Sequence, residues 1–236
     1  MRCEVYKTLH AVFFLMLKHI LFDNDGTIVD SEVIAVRVML QHLKTAGVEI
    51  NQAVYSRRYP GLLEHDILSL ISAEYGVSFS ADFLYSVRIE QRHRLEQELR
   101  AIPGMTSLFR RLKIPKSMVS NGSVQHVVRS LRKVRLHGAL DGHIFSAEQV
   151  ARPKPHPDVY RHALSTLCLE PADVLVVEDS PVGVEAAKKA GLTVVGFLGA
   201  SHIADGHGDQ LRDLGANFIA QNARDLGLIL AQKGAF

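Results

Sequence analysis

From residue 102 to residue 220, short apolar runs alternate with amphipathic segments, and this alternation constrains the fold most. Strands are predicted at residues 117–122, 143–147, 173–179, 193–198 and 217–220. Helices are predicted at residues 103–113, 124–134, 159–168 and 182–190. Such alternation is typical of a parallel sheet covered by helices on both faces. The apolar run at residues 18–23 must join that sheet as its first strand.

The block that follows the first strand, residues 32–101, contains helical periodicity and no persuasive strand. Apolar residues recur at helical spacing from Val33 to Leu43, and Gly47 ends the run. We therefore predict an α/β fold with a Rossmann-like doubly wound parallel sheet. Its core comprises residues 16–31 plus 102–236, and residues 32–101 form an inserted helical cap domain.

Composition argues against a nucleic-acid-binding protein, a membrane-surface protein and a disulfide-stabilised protein. The chain has 236 residues, 47% hydrophobic and 22% charged, with a formal net charge of +2. These values are ordinary for a globular protein and favour neither nucleic acid nor a membrane surface as a partner. Two cysteines, Cys3 and Cys168, provide no disulfide framework. We expect a cytoplasmic protein that is a monomer or a weak homodimer.

The N-terminal run "LHAVFFLML" (residues 9–17) is too short to span a bilayer. It resembles the apolar part of a signal peptide, but no small-residue cleavage site follows it. We expect residues 1–15 to be an extension, non-native or disordered, that takes no part in the fold.

Polar residues follow three of the predicted strands. Asp23 and Asp25 follow the first strand, Ser120 ends the next, and Glu178-Asp179 ends a later one. The carboxyl ends of parallel strands meet at one edge of the sheet, where ligands bind. A proline-rich loop, "RPKPHPD", adds Lys154. Carboxylates that hold Mg²⁺ and a lysine that neutralises phosphate oxygens suit phosphoryl transfer.

Each of these residues also has a purely structural interpretation. Asp23 and Asp25 could lie in an acidic turn, and Ser120 could cap the following helix. Lys154 could be a solvated loop lysine, and Glu178-Asp179 could be first-turn acids of a helix. The order and position of all of them together favour the functional interpretation.

The motifs "DNDGT", "SNG", "KP" within "RPKPHPDVY", and "EDS" resemble, in that order, the four motifs of the haloacid-dehalogenase-like hydrolase superfamily. The resemblance covers residues 16 to about 220. A helical block directly after the first motif is similar to the helical-cap subfamily, in its sugar-phosphate phosphatase and β-phosphoglucomutase-like branch. The resemblance implies an Mg²⁺-dependent phosphatase that acts on a small phosphorylated metabolite.

The resemblance also implies roles for individual residues. Asp23 would be the nucleophile that carries an aspartyl-phosphate, and Asp25 would protonate the leaving oxygen and then activate water. The phosphoryl group would be bound by Ser120, Lys154 and the backbone near Asn121 and Gly122. The metal ligands would be the Asp23 carboxylate, the Asp25 backbone carbonyl, Asp179 and, directly or indirectly, Glu178.

Two differences from related families disfavour a mutase and a phosphonoacetaldehyde hydrolase. Mutases of the β-phosphoglucomutase type carry a histidine twelve residues beyond the nucleophile, and Ala35 occupies that position here. Phosphonoacetaldehyde hydrolases need a cap lysine, and only Lys44, near the end of the first cap helix, is available. Hydrolysis of a phosphate monoester is favoured. A phosphosugar mutase and a phospho-accepting signalling domain are the alternatives, although the latter lacks the second aspartate and the helical insertion.

Recognition of the substrate is expected from the cap. Arg58 is the candidate for binding a second anionic group, ahead of Arg57, and Gly61 resembles the cap-loop glycine of the family. His202 and His207 match no metal-site spacing and are predicted to lie in a surface loop.

Overall fold

The computed structural model describes residues 17–59, 62 and 64–236, with only the backbone described at Arg57. The predicted N-terminal extension, residues 1–15, and the candidate Gly61 lie outside the described residues. Within the described part of the chain, every helix is too short or too polar to cross a lipid bilayer.

The described residues form a single six-stranded parallel sheet, as predicted. Its strands are β1 (His19–Phe22), β2 (Lys116–Ser120), β3 (Ile144–Ser146), β4 (Val174–Glu178), β5 (Thr193–Phe197) and β6 (Phe218–Ala220). Their order across the sheet is β3-β2-β1-β4-β5-β6. All neighbouring pairs are parallel. The predicted Rossmann-like fold class is therefore confirmed.

Ten α-helices surround the sheet or form the insertion in the described residues. Those between β1 and β2 are α1 (Glu32–Thr45), α2 (Gln52–Arg58), α3 (Glu64–Tyr75), α4 (Phe83–Glu98) and α5 (Met105–Arg111). Those after β2 are α6 (Val124–Lys133), α7 (Asp158–Leu167), α8 (Pro181–Lys189), α9 (His207–Asp213) and α10 (Ala223–Gln232).

Three of these helices, α2, α9 and α10, are absent from the sequence prediction. Helices α2 and α9 have only seven residues each, and α9 buries the single residue Leu211, so neither carries a readable apolar period. Helix α10 does carry a signal. Asn222 caps it, and Leu226 and Leu230 are buried at i,i+4 spacing.

The two faces of the sheet bury separate apolar clusters. Side chains alternate along β1, so that Ile20 and Phe22 join one cluster and Leu21 joins the other. The first cluster includes residues of α5, α6 and α10, and the second includes residues of α7, α8 and α9. Helices cover both faces, which explains why all four residues of β1 are buried.

Helices α1 to α4 pack around a third apolar cluster of their own, which contains Leu43, Ile71 and Val87. The chain enters and leaves this group of helices through adjacent segments. The amide of Asp30 donates to the carbonyl of Arg100 at 3.0 Å, and Val29 forms an antiparallel bridge with Ala101. The exact domain boundaries, at residues 31/32 and 101/102, stay predictions.

The topology determines where a site can form. Strand β1 lies between β2 and β4. On one side of β1 the sheet continues through β2 to β3, and on the other side it continues through β4 and β5 to β6. Such a switch point leaves a crevice at the carboxyl ends of the central strands. The residues that follow β1, β2 and β4 border this crevice.

A buried polar contact near the amino-terminal ends of β1 and β2, away from the crevice, makes the free energy of unfolding depend on pH. His19 is 5% exposed, and its Nε2 lies 2.9 Å from Oγ of Ser117. Burial lowers the pKa of His19 to about 4, although Asp141 acts in the opposite direction. The unfolded chain therefore takes up a proton near pH 6.5, whereas the folded chain does so only near pH 4.

We predict that lowering the pH from 7 to 5 destabilises the protein through His19 by roughly 1–2 kcal/mol. Urea unfolding at several pH values measures this free energy. A His19→Asn variant should lose less stability than the wild type over that range, while the exposed His137→Asn control should follow the wild type. Identical pH slopes for His19→Asn and the wild type would contradict the prediction.

Candidate active site

Lys154 lies at the centre of the crevice and joins the ends of three strands. Its Nζ donates to Oδ1 of Asp23 at 2.7 Å, to Oε2 of Glu178 at 2.8 Å and to the carbonyl of Val119 at 2.9 Å. The side chain is only 2% exposed. Burial alone would lower the pKa of Lys154, but the carboxylates of Asp23 and Glu178 hold it well above its ordinary value. The ammonium is therefore charged.

Three buried carboxylates converge beside this lysine. One oxygen from each of Asp23, Glu178 and Asp179 lies within 4.8 Å of the others. Burial and then the charge of Glu178 raise the pKa values of Asp23 and Asp179 well above the ordinary range. With all three carboxylates ionised, one ammonium would leave two net negative charges, and the raised pKa values of Asp23 and Asp179 reflect the cost of that charge when no cation balances it. Oxygen ligands with this charge fit a divalent cation such as Mg²⁺.

Protein donors already engage both oxygens of Glu178. Oε1 accepts from Oγ of Ser180 at 2.7 Å, and Oε2 accepts from Lys154 and from the hydroxyl of Tyr160, the latter at 3.1 Å. Asp179 is held differently, because its Oδ1 accepts from Oγ1 of Thr27 at 3.0 Å. This arrangement favours Asp23 and Asp179 over Glu178 as direct metal ligands.

Asp25 does not join the carboxylate cluster. Its carboxylate accepts hydrogen bonds from Nδ2 of Asn24 at 3.0 Å, from Oγ of Ser31 at 2.6 Å and from Nε2 of His126 at 2.9 Å. Burial acts to raise the pKa of Asp25, but these hydrogen bonds outweigh burial and lower it. The same contact raises the pKa of His126. The two carboxylates of the "DND" run are thus held by different partners.

Gly26 makes this turn possible. Its φ of +79° lies in the left-handed region, and a Cβ built there would lie 2.0 Å from Oδ2 of Asp179. A side chain at this position would collide with a candidate metal ligand, so the first motif and Asp179 approach each other only through glycine.

The second motif supports the lysine loop. The side chain of Asn121 accepts from the amide of Lys154 at 2.9 Å and donates to its carbonyl at 3.2 Å. Ser120 is buried, and its Oγ accepts from the amide of Gly122 at 2.9 Å. The roles in phosphate binding expected for Ser120, Asn121 and Gly122 stay predictions.

Arg58, the candidate in the described part of the cap, pairs with a residue of another cap helix. Nη1 of Arg58 donates to Oε1 of Glu74 at 2.8 Å, and the arginine side chain is 47% exposed. The guanidinium would have to leave Glu74 before it could bind a substrate anion, and its role in substrate binding stays a prediction. Ala35 lies in α1, and its carbonyl accepts from Nε2 of Gln91 at 3.3 Å.

The prediction that His202 and His207 lie in a surface loop is wrong for His207, which begins helix α9, whereas His202 lies in the loop before it. Both side chains are partly buried against the site. Nε2 of His202 lies 3.4 Å from Oδ2 of Asp179, and Nε2 of His207 contacts the Asp179 carbonyl at 2.6 Å. The loop and the start of helix α9 therefore lie against Asp179, the residue that directly follows β4.

Two residues that contact the motifs, Ser31 and His126, are not predicted from the sequence. Thr27, Tyr160 and Ser180 lie within the stretches "DNDGT", "RPKPHPDVY" and "EDS", but the sequence predicts no contact with a catalytic carboxylate for them. Ser180 directly follows Glu178-Asp179 and caps α8, so the acids and their partner share one turn. His126 carries no comparable local signal, since it reaches Asp25 across 101 positions of sequence. Only the folded arrangement brings that pair together.

Comparison with known proteins is consistent with this geometry. The profile of the haloacid dehalogenase-like hydrolase family matches residues 20–197. The chain is 29% identical to the 6-phosphogluconate phosphatase of Escherichia coli, over 79% of this chain and 85% of that protein. It is 31% identical to hexitol phosphatase A of the same organism, over 75% and 82% of the two chains.

A similar solved structure is that of a HAD family hydrolase from Deinococcus radiodurans, which holds bound phosphate and sodium. It superposes with a TM-score of 0.82 at 27% sequence identity, covering 94% of this chain and 98% of that one. The coverage extends over both the sheet and the inserted helices.

The contact of Gly26 with Asp179 generates a prediction. Gly26→Ala should destabilise the protein and weaken divalent-cation binding, because the new methyl group displaces the Asp179 carboxylate. Gly47→Ala is the matched control, since Gly47 has a φ of +86° with open space around its Cβ position. Backbone strain alone should cost the control about 1 kcal/mol.

Urea unfolding and calorimetric Mg²⁺ titration measure the two effects. Gly26→Ala should lose at least about 1 kcal/mol more stability than Gly47→Ala, in the range of steric overpacking. Equal stability losses and equal Mg²⁺ affinities in the two variants would show that Gly26 matters only for its backbone conformation.

Proposed function

Because the chain belongs to the haloacid dehalogenase-like hydrolase family and is a phosphoric monoester hydrolase, we propose that it is an Mg²⁺-dependent sugar-phosphate phosphatase. We propose that catalysis proceeds through an aspartyl-phosphate on Asp23. The observation that carries the proposal is the buried contact of Lys154 with Asp23 and Glu178, with Asp179 alongside. A phosphoryl group bound there would meet a nucleophile, a cation and metal ligands together.

Asp23 and Asp179 are the proposed carboxylate ligands of Mg²⁺, with the backbone carbonyl of Asp25 completing the protein set. Glu178 orients Lys154 and supplies negative charge. Mg²⁺, when bound, neutralises phosphate oxygens and so reduces their repulsion from the Asp23 carboxylate. The net charge of the buried cluster and its oxygen donors support this assignment.

In the first step, a carboxylate oxygen of Asp23 forms a bond to phosphorus while the ester P–O bond breaks. Lys154 and Ser120 bind the phosphoryl oxygens in our assignment, and the ammonium offsets charge that develops on them. Asp25 transfers a proton to the departing alkoxide, which leaves as an alcohol. A phosphate dianion beside Asp25 raises its pKa relative to the unliganded site and favours the protonated form.

In the second step, Asp25 removes a proton from water as the water oxygen attacks the phosphoryl group on Asp23. Inorganic phosphate leaves, and the Asp23 carboxylate and the protonated Asp25 are restored. The hydrogen bonds to Asp25, which lower its pKa, favour the ionised form that can accept this proton.

The proposed substrate is a small sugar or sugar-acid phosphate. The relatives named for 6-phosphogluconate and hexitol support this class. We propose that the protein acts in the cytoplasm on a free metabolite and requires neither nucleic acid nor a membrane. The phosphosugar mutase is disfavoured, because Ala35 provides no side chain for proton transfer in the mutase cycle.

The proposal is tested by phosphate release from a panel of sugar, polyol and sugar-acid phosphates with Mg²⁺. Asp23→Asn should lower kcat/KM at least roughly 1,000-fold because the amide is not nucleophilic. The exposed Asp213→Asn is the control and should retain full activity. Acid quench after incubation with radiolabelled substrate should trap label on the wild type and not on Asp23→Asn.

Substantial hydrolysis by Asp23→Asn with normal Mg²⁺ binding would mean that the nucleophile lies elsewhere. An isomerised sugar phosphate formed with a bisphosphate primer, without net phosphate release, would favour the mutase. Labelling without multiple turnover would favour a phospho-accepting signalling domain.

A further inference from the structure

His126 links the second motif to Asp25 of the first. Its Nε2 lies 2.9 Å from Oδ1 and 3.0 Å from Oδ2 of Asp25. The imidazole therefore faces the middle of the carboxylate and contacts both oxygens. The contact joins α6 to the loop after β1, two elements that reach the crevice from different strands.

The cap of α6, the backbone at Gly122 and the apolar core together fix the position of the imidazole. Ser123 caps α6 by accepting from the amide of His126 at 3.1 Å. The ring packs over Gly122, where an added Cβ would lie 3.0 Å from Cδ2 of His126. Val127 and Leu131 anchor the same helix in the apolar core. Helix α6 thus presents His126 at one defined place above the second motif.

The carboxylate of Asp25 is held from three directions. Ser31 donates to Oδ1 at 2.6 Å, Asn24 donates to Oδ2 at 3.0 Å, and His126 contacts both oxygens. Asn24 and Ser31 belong to the segment around Asp25 itself. His126 is the donor that comes from a distant part of the chain, so it relates Asp25 to the second motif.

We propose that His126 is a positioning residue that holds the carboxyl group of Asp25 on the leaving-group side of the reacting phosphorus. The inference rests on the proposed function, in which Asp25 passes a proton to the leaving alkoxide and later takes one from water. His126 gains and loses no proton in this cycle.

The contact is not needed to build the helix. Helix α6 has its own cap in Ser123 and its own apolar anchors, and the His126 side chain is 26% exposed. Removal of the imidazole should therefore leave the fold intact and release only the Asp25 side chain. The effect should fall on the step that needs proton transfer.

The test compares two aryl phosphates whose leaving groups differ in their need for a proton. p-Nitrophenolate leaves readily without one, whereas phenolate, from phenyl phosphate, is the more basic leaving group and depends more on general acid catalysis. The ratio kcat/KM includes steps only up to formation of the aspartyl-phosphate. It therefore isolates the first proton transfer from the later hydrolysis.

His126→Ala should lower kcat/KM for phenyl phosphate roughly 10- to 100-fold, part of the usual contribution of general acid catalysis. The same variant should lose less than roughly 3-fold on p-nitrophenyl phosphate, where little proton transfer is required. His126→Gln retains an N–H near the position of Nε2 and should recover most of the loss. Gln125→Ala, an exposed neighbour on α6, is the matched control and should behave as the wild type.

Equal losses on both substrates, with no recovery in His126→Gln, would overturn the inference and assign His126 a structural role. Unchanged kinetics in His126→Ala would also overturn it.

Asp25→Asn separates this inference from the proposed function. If Asp25→Asn shows the leaving-group dependence and His126→Ala does not, only the inference fails; if wild-type protein releases no phosphate, both fail. Thermal melting of each variant checks that the fold is retained.

Discussion

The Lys154 ammonium, almost fully removed from water, holds together side chains from distant parts of this chain. It contacts Asp23 after β1, Glu178 at the end of β4 and the Val119 carbonyl in β2. A buried ammonium is costly unless it is paired, and loss of one partner from a buried pair typically costs about 3–5 kcal/mol. The carboxylates outnumber the lysine, however, so ionisation of all of them leaves negative charge that the lysine does not balance. That excess charge is what a divalent cation would balance, and it links the stability of the site to its chemistry.

The sheet topology places Asp23 and Asp25, which are only two positions apart, in different environments at the carboxyl end of β1. Strand β1 is central, and the turn after it sends Asp23 toward Lys154 and Asp25 toward His126. Gly26 permits the sharp turn and the close approach of Asp179. One aspartate is therefore placed among two other carboxylates and an ammonium, and the other among hydroxyl, amide and imidazole donors. The proposed nucleophile and the proposed acid–base group differ in environment although only Asn24 separates them.

The sequence predicts the parts of this arrangement that depend on local pattern. Apolar runs followed by polar residues predict the strand ends, so the fold class and the proximity of Asp23, Glu178 and Asp179 follow from parallel pairing. Lys154 joins them from the loop between β3 and α7, and its exact position depends on how that loop folds. The contact of His126 with Asp25 depends on the length and tilt of α6, which no local pattern encodes. Helix α9, which begins at His207, has seven residues and one buried apolar residue, so no periodic pattern in the sequence predicts it. Arg58 shows the same limit in the cap, since its pairing with Glu74 depends on the packing of α2 against α3.

The proposal that unbalanced buried carboxylates bind a divalent cation is tested most directly by thermal unfolding in MgCl₂ and in NaCl at equal ionic strength. We expect Mg²⁺ to raise the Tm of the wild type in a saturable way, whereas Na⁺ should not. The corresponding stabilisation free energy should be about 2.7 kcal/mol at an Mg²⁺ concentration of 100 times the Kd. Asp179→Asn keeps the acceptor for Thr27 but removes one charge. It should match or exceed the metal-free stability of the wild type and lose the Mg²⁺ response. Equal Tm values of the wild type in the two salts would contradict the account.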